Sequence, residues 1–139
     1  MPETTHILLV EPETLLRRTV ALTARSLGLS QVHEAASQDA AVRMLRERSF
    51  HGAVIAVECI GSGGERRYDL SLVDRLRDAA TSSHHAMPIA IMADQATPTL
   101  LRALRERRIS RVILKPFRAK VLLETIADFG PASAPARKS

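Results

Sequence analysis

With 139 residues, 45% of them apolar, and a single cysteine, the chain has material for one domain around one core and excludes an internal disulfide framework. No apolar run approaches the roughly 20 residues that span a bilayer. Met1 to His6 lacks the charged and apolar regions of a secretory leader, so a cytoplasmic protein with no membrane partner is expected. The net charge of +5, mostly arginine, favours acidic partners, although a solvated basic surface also accounts for an excess of that size.

Short apolar runs alternate with segments of helical period. His6 to Val10 reads as a buried strand. Leu15, Leu16, Val20, Leu22, Ala24 and Leu27 then recur at helical spacing, and Gly28 ends that helix. Gln31 to Ala35 is a second strand. Ser37 caps the next helix, with Asp39 in its first turn and Ala41, Val42 and Leu45 on its buried face. Ala53 to Val57, apolar throughout, is a third strand covered on both sides. A glycine-rich, charged loop runs from Gly61 to Arg67, and Asp69 opens a helix carrying Leu72, Val73 and Leu76. After the polar connection Thr81 to Ala86, Pro88 to Met92 is a fourth strand. Thr97 and Pro98 start a helix with Leu100, Leu101 and Leu104. Arg111 to Leu114 is a fifth strand, ended by Pro116. Arg118 to Phe129 is a last amphipathic helix with Val121, Leu122, Leu123 and Ile126. Residues 1–130 thus read as one domain, and 131–139 as a basic Pro/Ala/Ser tail expected to be disordered.

Five strand-then-helix units in a row give an α/β protein, a parallel sheet with helices on both faces and right-handed crossovers. Function in such sheets lies at the carboxyl ends of the strands, near a switch in strand order. That directs attention to Glu11 to Glu13, Val57 to Cys59, Ala93 to Gln95, and Lys115 to Pro116. Glu11, Glu13 and Glu58 beside Lys115 can hold a divalent cation or form a plain ion pair; loop acids with a solvated lysine fit as well. Gly61-Ser62-Gly63-Gly64 lacks the spacing and context of a phosphate-binding loop. His84 and His85 have no matching ligands that would make them a metal site.

Two segments carry a resemblance. Ile7-Leu8-Leu9-Val10-Glu11-Pro12-Glu13, followed by Leu15-Leu16-Arg17-Arg18, resembles the opening of response-regulator receiver domains, the phosphoryl-accepting modules of two-component signalling. Ile113-Leu114-Lys115-Pro116-Phe117 resembles their closing motif, and Pro88 to Met92 lies at the family's usual distance before that lysine. The resemblance covers about residues 6 to 129. It implies the flavodoxin-like doubly wound sheet, strand order 2-1-3-4-5, and commonly a cis peptide bond before the closing proline. It also implies an acceptor aspartate after the third strand, an acidic pair holding magnesium, a hydroxyl after the fourth strand, and the lysine that pairs with the phosphoryl group.

Most of those positions are altered. The acidic pair falls on Glu11 and Pro12. The acceptor falls on Val57, or on Glu58 if the strand shifts by one. The hydroxyl falls on Ala93, and an aromatic residue common in the family falls on Val112. Glu13, Lys115 and Pro116 stand as the family has them. Valine has no nucleophile, and glutamate carries its carboxylate one methylene too far for a geometry that tolerates only a fraction of an ångström. The expectation is a non-enzymatic receiver with a degenerate phosphorylation pocket, no cofactor, and magnesium binding weak or absent. If Glu58 points into that pocket, it can pair with Lys115 and imitate the phosphorylated charge. Partners are expected at Arg102, Arg105, Arg108, Arg111, Arg118 and Lys120: a histidine kinase, another regulator, or a second copy through the fourth helix, fifth strand and fifth helix. Phosphorylation on a non-standard residue is one alternative. Nucleic-acid binding through the arginine-rich face is another, disfavoured by the scarcity of aromatic stacking residues.

Overall fold

A computed structural model describes residues 5–29, 31–60, 67–109 and 111–129. The elements in chain order are β1 (His6–Val10), α1 (Thr14–Ser26), β2 (Gln31–Ala35), α2 (Gln38–Glu47), β3 (Gly52–Ala56), β4 (Cys59–Ile60), β5 (Arg67–Tyr68), α3 (Ser71–Arg77), β6 (Ile89–Ala93), α4 (Pro98–Glu106), β7 (Arg111–Leu114) and α5 (Ala119–Asp128). Five strands form one sheet in the order β2-β1-β3-β6-β7, every pair parallel. Counting only that sheet, the order is the expected 2-1-3-4-5. The first crossover, β1 to β2, runs to one side of β1 and the later ones run to the other, which leaves a crevice at the carboxyl ends of β1 and β3.

Side chains alternate across the sheet as the strand period of two requires. Leu8, Val10, Ala53, Ile55, Ile89 and Ile91 bury against Ala41 of α2, Leu72 and Leu76 of α3, and Leu100 and Leu104 of α4. On the other face, Ile7, Leu9, Val54, Ala56, Ala90 and Met92 meet Val20 and Ala24 of α1 and Leu122 and Ile126 of α5. Burying each Leu or Ile contributes about 1.5–3 kcal/mol, so these two layers hold the sheet.

Local signals in the sequence act as expected at most helix ends. Ser37 Oγ accepts from the Ala40 N–H at 3.1 Å, and Thr97 Oγ1 accepts from the Leu100 N–H at 3.1 Å, with Pro98 just inside α4. Gly28 adopts φ +69°, the left-handed turn that ends α1.

Several expectations need correction. The third and fourth strands run Gly52–Ala56 and Ile89–Ala93, each offset by one residue, because the ladder is fixed by partners on both sides. Asp69 does not open a helix. It precedes α3, and its carboxylate accepts from the Ser71 N–H and hydroxyl at 3.1 and 2.6 Å, which holds the acid well outside the first turn and lowers its pKa. Arg67 belongs to a short antiparallel pairing of β4 with β5 and not to a loop. Residues 61–66 of the expected loop, and the tail 131–139, lie outside the described residues. On α1 the buried residues are Val20, Ala21 and Ala24, while Leu15 and Leu22, and Leu27 just beyond the helix, face solvent at 76%, 50% and 60% exposure. Val121 of α5 is likewise exposed. Among the described residues, no helix is long and apolar enough to cross a membrane.

Candidate functional site

The carboxyl end of β1 delivers Glu11 into the crevice. Its carboxylate is 1% exposed, a costly place for a charge unless it is matched. One oxygen, Oε2, accepts from the Glu13 N–H at 2.9 Å. The other, Oε1, meets Lys115 Nζ at 2.6 Å, a charge-to-charge contact without the alignment of a full hydrogen bond. Lys115 directly follows β7, where its N–H bonds the Ala93 carbonyl at 2.9 Å. The β1–α1 turn is braced by Arg17, which donates to the Glu11 carbonyl at 2.9 Å and to the Glu34 carboxylate at 3.2 Å. The Lys115–Pro116 peptide bond is cis.

The other expected residues sit around this pair in different ways. Val57 directly follows β3, is buried within the α2–α3–α4 layer of the core, and bonds its N–H to the Met92 carbonyl at 3.0 Å. Ala93 ends β6 and is buried. Pro12, Glu13, Glu58 and Pro116 are exposed. Glu58 does not reach Lys115. It lines a cleft with Val10, Pro12, Ser37, Asp39 and Asp69, whereas Lys115 lines a separate hollow with Glu13, Leu16, Pro116 and Phe117. Of the carboxylates expected beside Lys115, Glu11 is the one that pairs with it.

Magnesium needs several oxygen ligands in a near-octahedral array. Both Glu11 oxygens are engaged, by an N–H and an ammonium, and Pro12 and Val57 bring no side-chain oxygen. These residues do not fit a magnesium site. Among the described residues, no three His, Cys, Asp or Glu side chains gather as metal ligands.

The arginine-rich face divides into engaged and unengaged groups. Arg111 donates to Thr125 Oγ1 and pairs with Asp128, each at 3.0 Å. Arg107 pairs with Asp74, which raises its pKa. Arg108, at φ +62°, donates to the His85 carbonyl at 3.1 Å. Arg102, Arg105, Arg118 and Lys120 are exposed and enter no ion pair among the described residues. Leu114 and Val121 are exposed on the same edge elements at 47% and 43%.

Two features escape a reading of the sequence. Tyr68 of β5 donates to Asp94 Oδ1 at 2.8 Å and ties the small ladder to the loop after β6. At the opposite, amino-terminal edge of the sheet, His6 touches both His33 and His51. Their separations of 45 and 27 residues give no local signal; the β1–β3 pairing sets His51 beside His6, and the β1–β2 pairing sets His33 there.

The fold is similar to that of solved response regulators. A chemotaxis response regulator of Vibrio cholerae matches with a TM-score of 0.73 at 19% identity, over 91% of this chain and 99% of that one. An orphan response regulator of H. pylori matches with a TM-score of 0.72 at 17% identity, over 93% and 98%. A response regulator from Thermotoga maritima gives 0.70 at 20%, over 91% and 98%. No protein-family model and no curated protein sequence matches the chain. The chain therefore has the receiver fold, shared over nearly the whole length of these proteins.

Proposed function

We propose that the chain is an atypical receiver of two-component signalling that works by docking other proteins, without taking up a phosphoryl group and without enzymatic activity. The observation that carries this reading is Val57: a buried side chain with no nucleophilic atom directly after β3, where the resemblance implies an acceptor aspartate. Its inward orientation favours it over Glu58 as the equivalent residue, since Glu58 is exposed and lines a different hollow from Lys115. The pairing of Lys115 with Glu11 supports the same reading, because the ammonium that would receive a phosphoryl group is already neutralised. Pro12 and Val57 also remove metal ligands, so magnesium binding is weak or absent.

Signalling then falls to a surface. The face of α4, β7 and α5 presents Arg102, Arg105, Arg118 and Lys120 beside exposed Leu114 and Val121. Planar guanidinium groups with an apolar neighbour suit an acidic protein surface, such as a kinase or another regulator. The test is incubation with a small-molecule phosphodonor and magnesium, followed by intact mass measurement. No phosphoryl adduct is expected. A stable acylphosphate overturns the reading, and its loss in Glu58→Gln would assign the chemistry to that carboxylate.

A further inference from the structure

Three of the five histidines, His6, His33 and His51, gather at the amino-terminal edge of the sheet, away from the Glu11–Lys115 pair, and Phe50 links a fourth, His84, to them. His6 and His51 are joined twice: the His51 N–H donates to the His6 carbonyl at 2.8 Å, and the His6 N–H donates to His51 Nδ1 at 2.9 Å. Their rings stack with an interplanar angle of 15°. His6 Nδ1 lies 2.9 Å from His33 Nε2. Arg48 Nη1 sits 2.9 and 3.2 Å from the two nitrogens of the His6 ring. Phe50 packs edge-on to His33, and its N–H donates to Nε2 of buried His84 at 3.1 Å.

The contacts in which a ring nitrogen accepts need a neutral ring. An imidazolium has donors at both nitrogens and no lone pair. Charged His51 cannot accept from the His6 N–H, and charged His84 cannot accept from the Phe50 N–H. His6 and His33 cannot both be charged at 2.9 Å, and Arg48 is a permanent cation against the same ring. Among the described residues no carboxylate pairs with any of these rings, and Glu34, next to His33 on β2, is engaged by Arg17 and Arg18. The cleft beside His84 holds Arg46 and Arg75 against a single acid, Asp78.

We propose that this cluster is a proton-sensitive latch: neutral rings fasten the connection between α2 and β3 to the start of β1, the middle of β2 and the connection before β6, and proton uptake releases it. Burial holds His6, His33 and His84 below the ordinary imidazole value of 6.5, with Arg48 adding to the effect at His6 and His33. The folded chain thus binds fewer protons than the unfolded chain just below pH 6.5. The latch is complete above that pH and is lost as pH falls through the folded values. For each such ring, the unfolding constant rises by up to about tenfold per pH unit in that window.

The test replaces acceptor nitrogens by non-titrating oxygens of similar reach, in His51→Asn with His84→Gln. Denaturant unfolding is followed from pH 8 to pH 5 for both proteins, and ring titrations are followed by NMR in the unmodified chain. We expect the unmodified protein to lose stability more steeply below pH 6.5 than the double variant, with His6 and His33 titrating below 6.5. Parallel pH curves overturn the latch. If the double variant fails to fold, the ring titrations decide alone: His6 and His33 midpoints at or above 6.5 overturn it.

Discussion

A charge buried as deeply as the Glu11 carboxylate is costly unless a cation lies beside it, and here that cation is Lys115 at 2.6 Å. Removing the lysine strands the charge, whereas removing both partners leaves only a small packing defect. Lys115→Met is therefore expected to destabilise the fold by about 3 kcal/mol, the lower end for a broken buried pair because Lys115 is itself 29% exposed. Combining it with Glu11→Gln should recover much of that loss, as read from denaturant unfolding of the four proteins in a double-mutant cycle. Additive losses would show that the contact carries no coupling. The sequence made the participants of this site legible, since carboxylates and a lysine at strand ends follow from the strand pattern. It left the pairing open, because Glu11, Glu13 and Glu58 are equivalent in chemistry and differ only in burial. Burial here depends on where β3 stops, and a one-residue shift decides whether Val57 or Glu58 turns inward. The histidine cluster was less legible still, being a product of strand register and not of spacing.

Gly52, the first residue of β3, shows how tightly one element's end fits another's. A Cβ there would lie 2.6 Å from both Cγ and Cδ2 of Phe129, at the end of α5, and 3.0 Å from its Cβ. The contact involves the base of the ring as well as its edge, so rotation of the side chain alone does not relieve it. Gly52→Ala is expected to cost about 1–3 kcal/mol, the range for overpacking a core site. In a Phe129→Ala background the same change should cost less, and thermal unfolding of the set checks this. Equal costs in both backgrounds would place the clash elsewhere. Elements with a local cause were well read: Ser37 and Thr97 cap their helices, and Gly28 ends α1. Periodicity was a poorer guide to which face is buried. On α1 the small residues Ala21 and Ala24 approach the sheet while Leu15 and Leu22 point outward, so helical spacing located the helix and not its inner side. The pairing of β4 with β5 was missed because two-residue strands leave no pattern.

Over the whole molecule, stability is graded from the middle of the sheet to its edges. Every residue of β3 and β6 is buried, and β1 is buried after His6, whereas Arg111 and Leu114 of β7 are exposed and β7 has a neighbour on one side only. Amides of the three central strands can exchange with solvent only when the whole domain opens, while an edge strand also exchanges through local opening. Native-state hydrogen exchange is therefore expected to protect β7 amides at least about tenfold less than those of β3, equivalent to about 1.4 kcal/mol. The prediction bears on docking, because β7 with α4 and α5 forms the arginine-rich face. A face built on an edge strand can adjust to a partner without disturbing the Leu8–Ile55–Ile91 layer beneath it. An acidic partner that docks there should raise β7 protection selectively and leave β3 unchanged. Equal protection of β7 and β3 in the free protein would mean that the face is preformed, so that any partner must match its shape as it stands.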